Sequence, residues 1–232
     1  ETYPNVKTVA FQYSEEPGGD AYIKISQMEA EARGLTVVGI ERYPMGAEDF
    51  YPVWTKLLAA KPDAMDGGAG FVGEAALKLK QGRELGFKGP IFILSPVNLY
   101  DILGIAGKDF SYDFFNPSLD IQSPEVPSMV KEVKKRWEAK LIKEPFNPAD
   151  SVWGWDTLWC IVQAIEAAQS IDTTQVAATW EKMESIKTCY GTGHMGGLRA
   201  YGINHLVIRP VPVSKLEKGE VKFVKWYSPE IP

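Results

Sequence analysis

Hydrophobic positions in the first part of the chain switch repeatedly between two rhythms, a short strand-like run and a recurrence at helical spacing. Thr8 to Tyr13 is such a run, and Ser14-Glu15-Glu16-Pro17-Gly18-Gly19-Asp20 behind it carries the residues that end a strand and start a helix. Ile25, Met28 and Ala32 then fall at i, i+3 and i+7, predicting a helical face that stops at Gly34. Leu35 to Ile40 predicts a second strand. A second helix begins at Asp49 with Trp54, Leu57 and Leu58 on one side, and Pro62, which has no N–H to donate, forbids its continuation. Ala64 to Gly67 predicts a third strand, Ala75 to Leu85 a third helix and Ile91 to Leu94 a fourth strand. Unbroken alternation of this kind is the signature of an α/β chain with a doubly wound parallel sheet.

After Ser95-Pro96 the rhythm changes. Leu99 to Ala106 predicts a short helix and Tyr112 to Phe115 a strand, before Asn116-Pro117 and Ser123-Pro124 interrupt the pattern. Two longer helices follow, Pro127 to Leu141 and Ser151 to Ala168, the second with Asp150 or Ser151 as N-cap. Thr173 to Met183 is a further short helix. From Tyr190 onward, glycines at 191, 193, 196, 197 and 202 predict a loop, and Leu206 to Val213 and Val221 to Trp226 straddle Lys218-Gly219 as a hairpin. The expected fold is a parallel sheet of about four to five strands with helices on both faces, extended by the C-terminal hairpin.

In such a sheet, ligands sit where strand C-termini and helix N-termini converge. Lys61 to Gly70, running straight into the helical pattern, reads as a buried strand, a glycine-rich turn and a helix start, so the chain is built to hold something small. A strand-turn-helix unit does not by itself say what is held.

Composition narrows the classes. Hydrophobic residues at 45% and charged residues at 24% are ordinary globular values, and seven Trp supply large surfaces for cores or ligand walls. A net charge of −5 argues against nucleic acid, whose phosphates need clustered Lys and Arg. The one basic run, Lys131 to Lys140, is interleaved with Glu132 and Glu138 as on a solvated helix face. No window approaches the roughly 18 apolar residues of a membrane span, and Glu-Thr-Tyr-Pro-Asn at the start is no signal peptide. Cys160 and Cys189 permit either separate buried thiols or one disulfide.

Enzymatic chemistry finds little support. Gly67-Gly68-Ala69-Gly70 does not match G-x-G-x-x-G and follows the third strand rather than the first, so it is a close-approach turn rather than a nucleotide site. His194 and His205 have no partner at metal-ligand spacing. Gly193-His194-Met195-Gly196-Gly197 follows no strand that would present it to phosphate, and the adjacent Glu15 and Glu16 form a solvated turn rather than an acid and base pair. The expectation is a chain with no catalytic residue, no metal and no organic cofactor.

At this point the chain resembles the branched-chain amino-acid type of ABC-transporter solute-binding protein, with the type I periplasmic binding fold. The resemblance is carried by Lys7-Thr8-Val9-Ala10-Phe11, by Gly34-Leu35-Thr36-Val37-Val38 leading to Asp49-Phe50, by Ala60-Lys61-Pro62-Asp63-Ala64, and by Arg83-Glu84-Leu85-Gly86-Phe87-Lys88-Gly89-Pro90. Trp155-Asp156 opening the long helix, and Tyr190-Gly191 followed by the hairpin, complete it. Such receptors have two α/β lobes, and the βα series that opens the first lobe is absent. The resemblance therefore implies a second lobe over residues 1–120 and 188–232, with helices at 121–187 left from an incomplete first lobe and able to support self-association. It further implies delivery of the solute to an ABC permease and a periplasmic or extracytoplasmic location, with the signal peptide removed and a lipid anchor left open. A ligand-sensing domain of a receptor or regulator, or a nucleotide-dependent α/β enzyme, are the alternatives.

The resemblance places ligand contacts in three turns: Ser14, Glu15, Pro17 and Gly18 after the first strand, Ala69, Gly70 and Phe71 after the third, and Pro96, Val97 and Asn98 after the fourth. Receptors of this family that bind α-amino acids usually place an acidic residue in the last of these turns, which here reads Ser95-Pro96-Val97-Asn98. A buried ammonium without a carboxylate forfeits several kcal/mol of solvation. Phe71 adds apolar surface, and the N–H groups at Gly68 to Gly70 suit an anion. The expected ligand is a carboxylate with an apolar or aromatic body, a branched-chain amino acid being the alternative.

Overall fold

The computed structural model describes residues 3–140 and 144–229. The first half runs β1 (Thr8–Ser14), α1 (Pro17–Ala32), β2 (Thr36–Tyr43), α2 (Tyr51–Ala59), β3 (Ala64–Asp66), α3 (Val72–Glu84), β4 (Ile91–Phe92), α4 (Leu99–Ala106) and β5 (Phe114–Asn116). The second half runs α5 (Ser128–Ala139), α6 (Pro148–Ala168), α7 (Thr173–Trp180), β6 (Ile186–Thr188), β7 (Gly191–Gly196), α8 (Leu198–Tyr201), β8 (Leu206–Ile208), β9 (Val211–Glu217) and β10 (Glu220–Tyr227). The end of the expected helix at Leu141 lies outside the described residues.

A seven-stranded sheet has the order β10-β9-β5-β4-β3-β1-β2. β1 pairs in parallel with β2 and β3, β3 with β4, and β4 with β5, while β9 returns antiparallel to β5. The hairpin turn takes Lys218 and Gly219 through positive φ of 52° and 73°, as a tight turn between antiparallel strands requires. This is the α/β, doubly wound architecture expected from the alternation. A second sheet, β6-β7-β8, is antiparallel.

The pleat of β1 divides the core. Ala10 faces Trp54 and Leu57 of α2, Leu79 of α3 and Ile102 of α4, whereas Val9, Phe11 and Tyr13 face Ile23 and Ala30 of α1. Helices thus cover both faces. The buried side of α1 is not the expected one: Ile25 and Met28 are 49% and 62% exposed, and Gly19, Ile23 and Ala30 point inward. Gly19 explains the rotation, because a Cβ there would stand 2.2 Å from the Ser14 carbonyl oxygen and the helix start closes directly on the strand end.

The chain separates into two compact units, Glu1–Pro117 with Ser214–Lys222, and Ser118–Val213 with Phe223–Pro232. Residues 188–213, which the sequence groups with the sheet lobe, lie in the second unit. That unit holds a core of Val126, Val130, Val133, Val152 and Tyr190. Helix α6 starts earlier than expected, at Pro148, and its N-cap is Asn147, whose Oδ1 accepts the Ala149 N–H at 3.0 Å. The carboxylate of Asp156 on this helix accepts the Cys189 N–H at 2.6 Å and stands 3.7 Å from Arg209 Nε, fixing the turn before Tyr190. Cys160 and Cys189 are separate buried thiols.

The expected loop after Tyr190 is instead β7, with His194 opposite Ile208 of β8. Its glycines mark close strand approach: a Cβ at Gly193 would lie 2.5 Å from the Ile208 carbonyl oxygen, and one at Gly196 2.2 Å from Ile208 Cδ1. The expected strand from Leu206 to Val213 breaks at Arg209-Pro210, its halves serving different sheets.

Candidate functional site

Because β1, β3 and β4 are parallel, the three turns that follow them leave the sheet at one edge. Two are tied together directly. Gly70 donates its N–H to Ser95 Oγ at 2.9 Å, and Leu94 donates to the Gly68 carbonyl at 3.1 Å. The turn after β3 also crosses the end of β1. Gly68 takes a positive φ of 68°, and a Cβ there would lie 2.6 Å from the Gln12 carbonyl oxygen, so only glycine fits without strain. The turn after β1 is tied instead to the end of β2, through Glu15 N–H to the Tyr43 carbonyl at 2.9 Å.

The ten residues expected at this edge are differently presented. Glu15, Pro17, Gly18 and Ala69 are exposed, Gly70, Pro96 and Asn98 half-buried, and Phe71 stands 73% exposed. Ser14 is buried, its hydroxyl donating to the Glu16 carboxylate at 2.8 Å. Val97 is only 4% exposed and packs in the sheet core with Leu99 and Ile102, while its N–H donates to Asn116 Oδ1 at 3.0 Å. Asn98 is the N-cap of α4, accepting the Tyr100 N–H at 3.1 Å.

Beneath the turn lies a group that the motif reading passed over. Lys78, 0% exposed, donates through Nζ to Tyr43 Oη and to the Gly67 carbonyl at 2.8 Å, with the Ala69 carbonyl at 3.4 Å. Tyr43 Oη in turn donates to the Ala69 carbonyl at 3.1 Å. Burial pulls the lysine down to about 8, opposed by the nearby carboxylates of Glu74 and Asp66. Asp66 accepts Tyr22 Oη at 2.6 Å and the Gly68 N–H at 2.8 Å, yet its burial prevails and raises its pKa. Glu74 accepts the Gly46 N–H at 3.0 Å. A signal for Lys78 existed in the sequence: Ala75, Lys78, Leu79 and Gly82 fall at i, i+3, i+4 and i+7, which puts the lysine on the buried face of α3.

The N–H groups expected to meet an anion need correction. Those of Gly68 and Gly70 are taken, by Asp66 and Ser95. The donors that remain belong to the first turn of α3, whose N-cap Phe71 provides no side-chain cap, and α1 likewise starts at Glu16 without one. In the sheet unit a cavity of about 380 Å³ is lined by Tyr3, Val6, Asp63 and Pro90, and in the second unit one of about 480 Å³ is lined by Glu181, Met183, His194 and Asn204. Among the described residues no group of three or more His, Cys, Asp or Glu could hold a metal, and no helix is long and apolar enough to cross a membrane.

A family model of periplasmic binding proteins matches residues 3–220. The chain belongs to that family. No curated protein matches it in sequence. Among solved structures, the leucine-binding protein LivK of Thermotoga maritima superposes with a TM-score of 0.75 at 22% identity, covering 98% of this chain and 63% of that one. The substrate-binding protein LivJ of Streptococcus pneumoniae, solved with isoleucine, gives 0.70 at 16% identity over 97% of this chain and 61% of its own. A solute-binding protein of Rhodopseudomonas palustris, solved with benzoate, gives 0.69 at 16% identity over 97% and 59%. At such identities the likeness shows the fold, here the type I periplasmic binding fold, and the chain spans less than two thirds of the length of these relatives.

Proposed function

We propose that this periplasmic binding protein captures a small carboxylate-bearing solute at the C-terminal edge of its parallel sheet and serves an ABC importer outside the cytoplasm, without covalent chemistry. One observation carries the reading: uncapped α3 opens beside the exposed ring of Phe71, above a buried lysine, and the facing turn 95–98 holds no acidic residue. A helix N-terminus favours a negative group, and an exposed aromatic ring at its mouth gives an apolar body something to cover. The relatives solved with isoleucine and with benzoate make both an amino acid and a plain acid reasonable probes. An ABC permease and an extracytoplasmic location belong to the same proposal, as does self-association through exposed Trp153, Leu158 and Ile161 of α6.

A second reading has its own support. Glu15 is exposed and Glu16 half-buried in the turn after β1, so an ammonium group could be met there, as a branched-chain amino acid would need. Calorimetric titration with leucine, glutamate, 4-methylpentanoate, benzoate and phenylacetate separates the two. The first reading expects binding of the amine-free acids; binding of an α-amino acid alone would establish the second, and binding of none would remove both.

A further inference from the structure

Helix α1 carries two apolar faces, and the fold uses one of them. Gly19, Ile23 and Ala30 turn inward, the last two packing on β1, while Ala21, Ile25, Met28 and Ala32 are all exposed on another side. The exposed four are spaced by four, three and four positions, the step of a helix that packs on a second helix. One exposed apolar residue needs no explanation, but a stripe along a whole helix presents continuous apolar surface to water. The helix is also held firmly: Gly19 closes on the Ser14 carbonyl, and Tyr22 Oη donates to Asp66 at 2.6 Å. The stripe is therefore presented in a fixed orientation, with little left to order on binding.

Two charges beside the stripe identify what covers it. Lys24 and Glu31 stand directly before Ile25 and Ala32, so both flank the stripe along the same border. Both are exposed, and among the described residues neither side chain makes a hydrogen bond or an ion pair, whereas Glu29 is paired with Arg33 and Asp20 with Arg42. Roughly two turns separate Lys24 from Glu31, too far for them to meet each other within the helix. Glu31 also lies in the last turn of α1, at the negative end of the helix dipole, and that turn holds no basic residue. A second α1 laid antiparallel, about a two-fold axis between Ile25 and Met28, answers each feature. Ile25 of one copy meets Met28 of the other, Ala21 meets Ala32, and Lys24 of each copy comes beside Glu31 of the other. The pattern is self-complementary, as an interface about a two-fold axis must be.

We infer that α1 is a homodimerisation surface: the chain pairs with a second copy of itself through antiparallel α1 helices, packed on Ile25 and Met28 and aligned by two ion pairs between Lys24 and Glu31. This pairing needs no solute and uses a face other than the exposed one on α6. One helix pair covers about 1,000 Å² in all, the low end of specific interfaces, so the dimer is reversible rather than obligate. The charges fix register and orientation more than they add affinity.

Sedimentation equilibrium of the whole chain, from micromolar to millimolar concentration, tests this. Leu158→Arg, which blocks pairing through α6, still reaches a monomer–dimer equilibrium. In that background Met28→Arg weakens the dimer about tenfold or more. Lys24→Glu, which sets like charges against each other at both ends of the interface, weakens it about fivefold at low salt. Adding Glu31→Lys to Lys24→Glu restores opposite charges and returns the dimer to within about twofold of its starting strength. All these positions are exposed, and far-ultraviolet circular dichroism establishes that each variant is folded. A Leu158→Arg protein that stays monomeric at millimolar concentration would overturn the inference. So would a dimer that Met28→Arg leaves unchanged, or a double charge swap as weak as the single one.

Discussion

Ser95 Oγ accepts the N–H of Gly70 at 2.9 Å, joining two turns that the sequence separates by 25 positions. With Gly68 pressed against the end of β1, this bond makes the edge of the sheet a single piece. Substitution should reveal an order within it. Gly68→Ala meets backbone at 2.6 Å and a positive φ, so it is expected to destabilise the sheet unit by about 2 kcal/mol or more. Gly70→Ala meets the end of the Glu74 side chain at 2.9 Å, which can turn aside, and is expected to cost less. Urea unfolding of the two variants checks the order; equal losses would show that the turn is not clamped against β1.

Lys78 gives the sheet unit a distinctive pH dependence. Its ordinary value is 10.5 and burial lowers it to about 8, so the folded state binds its proton more weakly than the unfolded chain does. A depressed folded value contributes stability that is complete above 10.5 and lost as pH falls through about 8. Unfolding free energy of wild type relative to Lys78→Met should therefore rise by about 1.4 kcal/mol per pH unit between these values. Taking the difference removes most of the opposing effect of Tyr43 and Tyr22, whose hydroxyls burial raises above their usual range. A flat difference across this window would mean that the lysine is hydrated.

In the other unit, Asp156 holds the chain before Tyr190. Asp156→Ala leaves the Cys189 N–H without its acceptor and Arg209 without its carboxylate, and is expected to cost about 3 kcal/mol. Asp156→Asn keeps an oxygen for Cys189 and should lose less. Chemical denaturation followed by near-ultraviolet circular dichroism, to which the packed rings of Tyr190 and Trp226 at 5.6 Å contribute, measures both. Losses below about 1 kcal/mol for the alanine variant would make the buried carboxylate dispensable.

The parts of the fold legible in the sequence are those set by local chemistry. Helix α4 runs from Leu99 to Ala106 as expected, because Asn98 caps it and Gly107, with a φ of 89°, ends it. The strands β1 to β4 follow from short runs bounded by turn residues. What stayed hidden was set by contacts remote in sequence. The inward face of α1 is chosen by the approach of Gly19 to Ser14, so the stripe through Ile25 and Met28 misled. Glycine-rich β7 exists because β8 supplies Ile208 at close range. At the C-terminal edge of the sheet the three turns were readable, yet the use of their N–H groups was not, since Asp66 and Ser95 reach them only after folding. Lys78 was readable by helical periodicity, but its partner Tyr43 stands on a strand 35 residues away.

The central claim is that a carboxylate-bearing solute binds at the C-terminal edge of the parallel sheet. Its most direct measurement is a titration of the isotope-labelled protein, observed by amide NMR, with 4-methylpentanoate, phenylacetate and leucine. The account predicts that an amine-free acid shifts the amides of Ala69 to Gly73 and Ser95 to Asn98 together, leaving those around the cavity at Glu181 and His194 in place. Shifts confined to other regions, or saturable binding of leucine with no response to either acid, would contradict it.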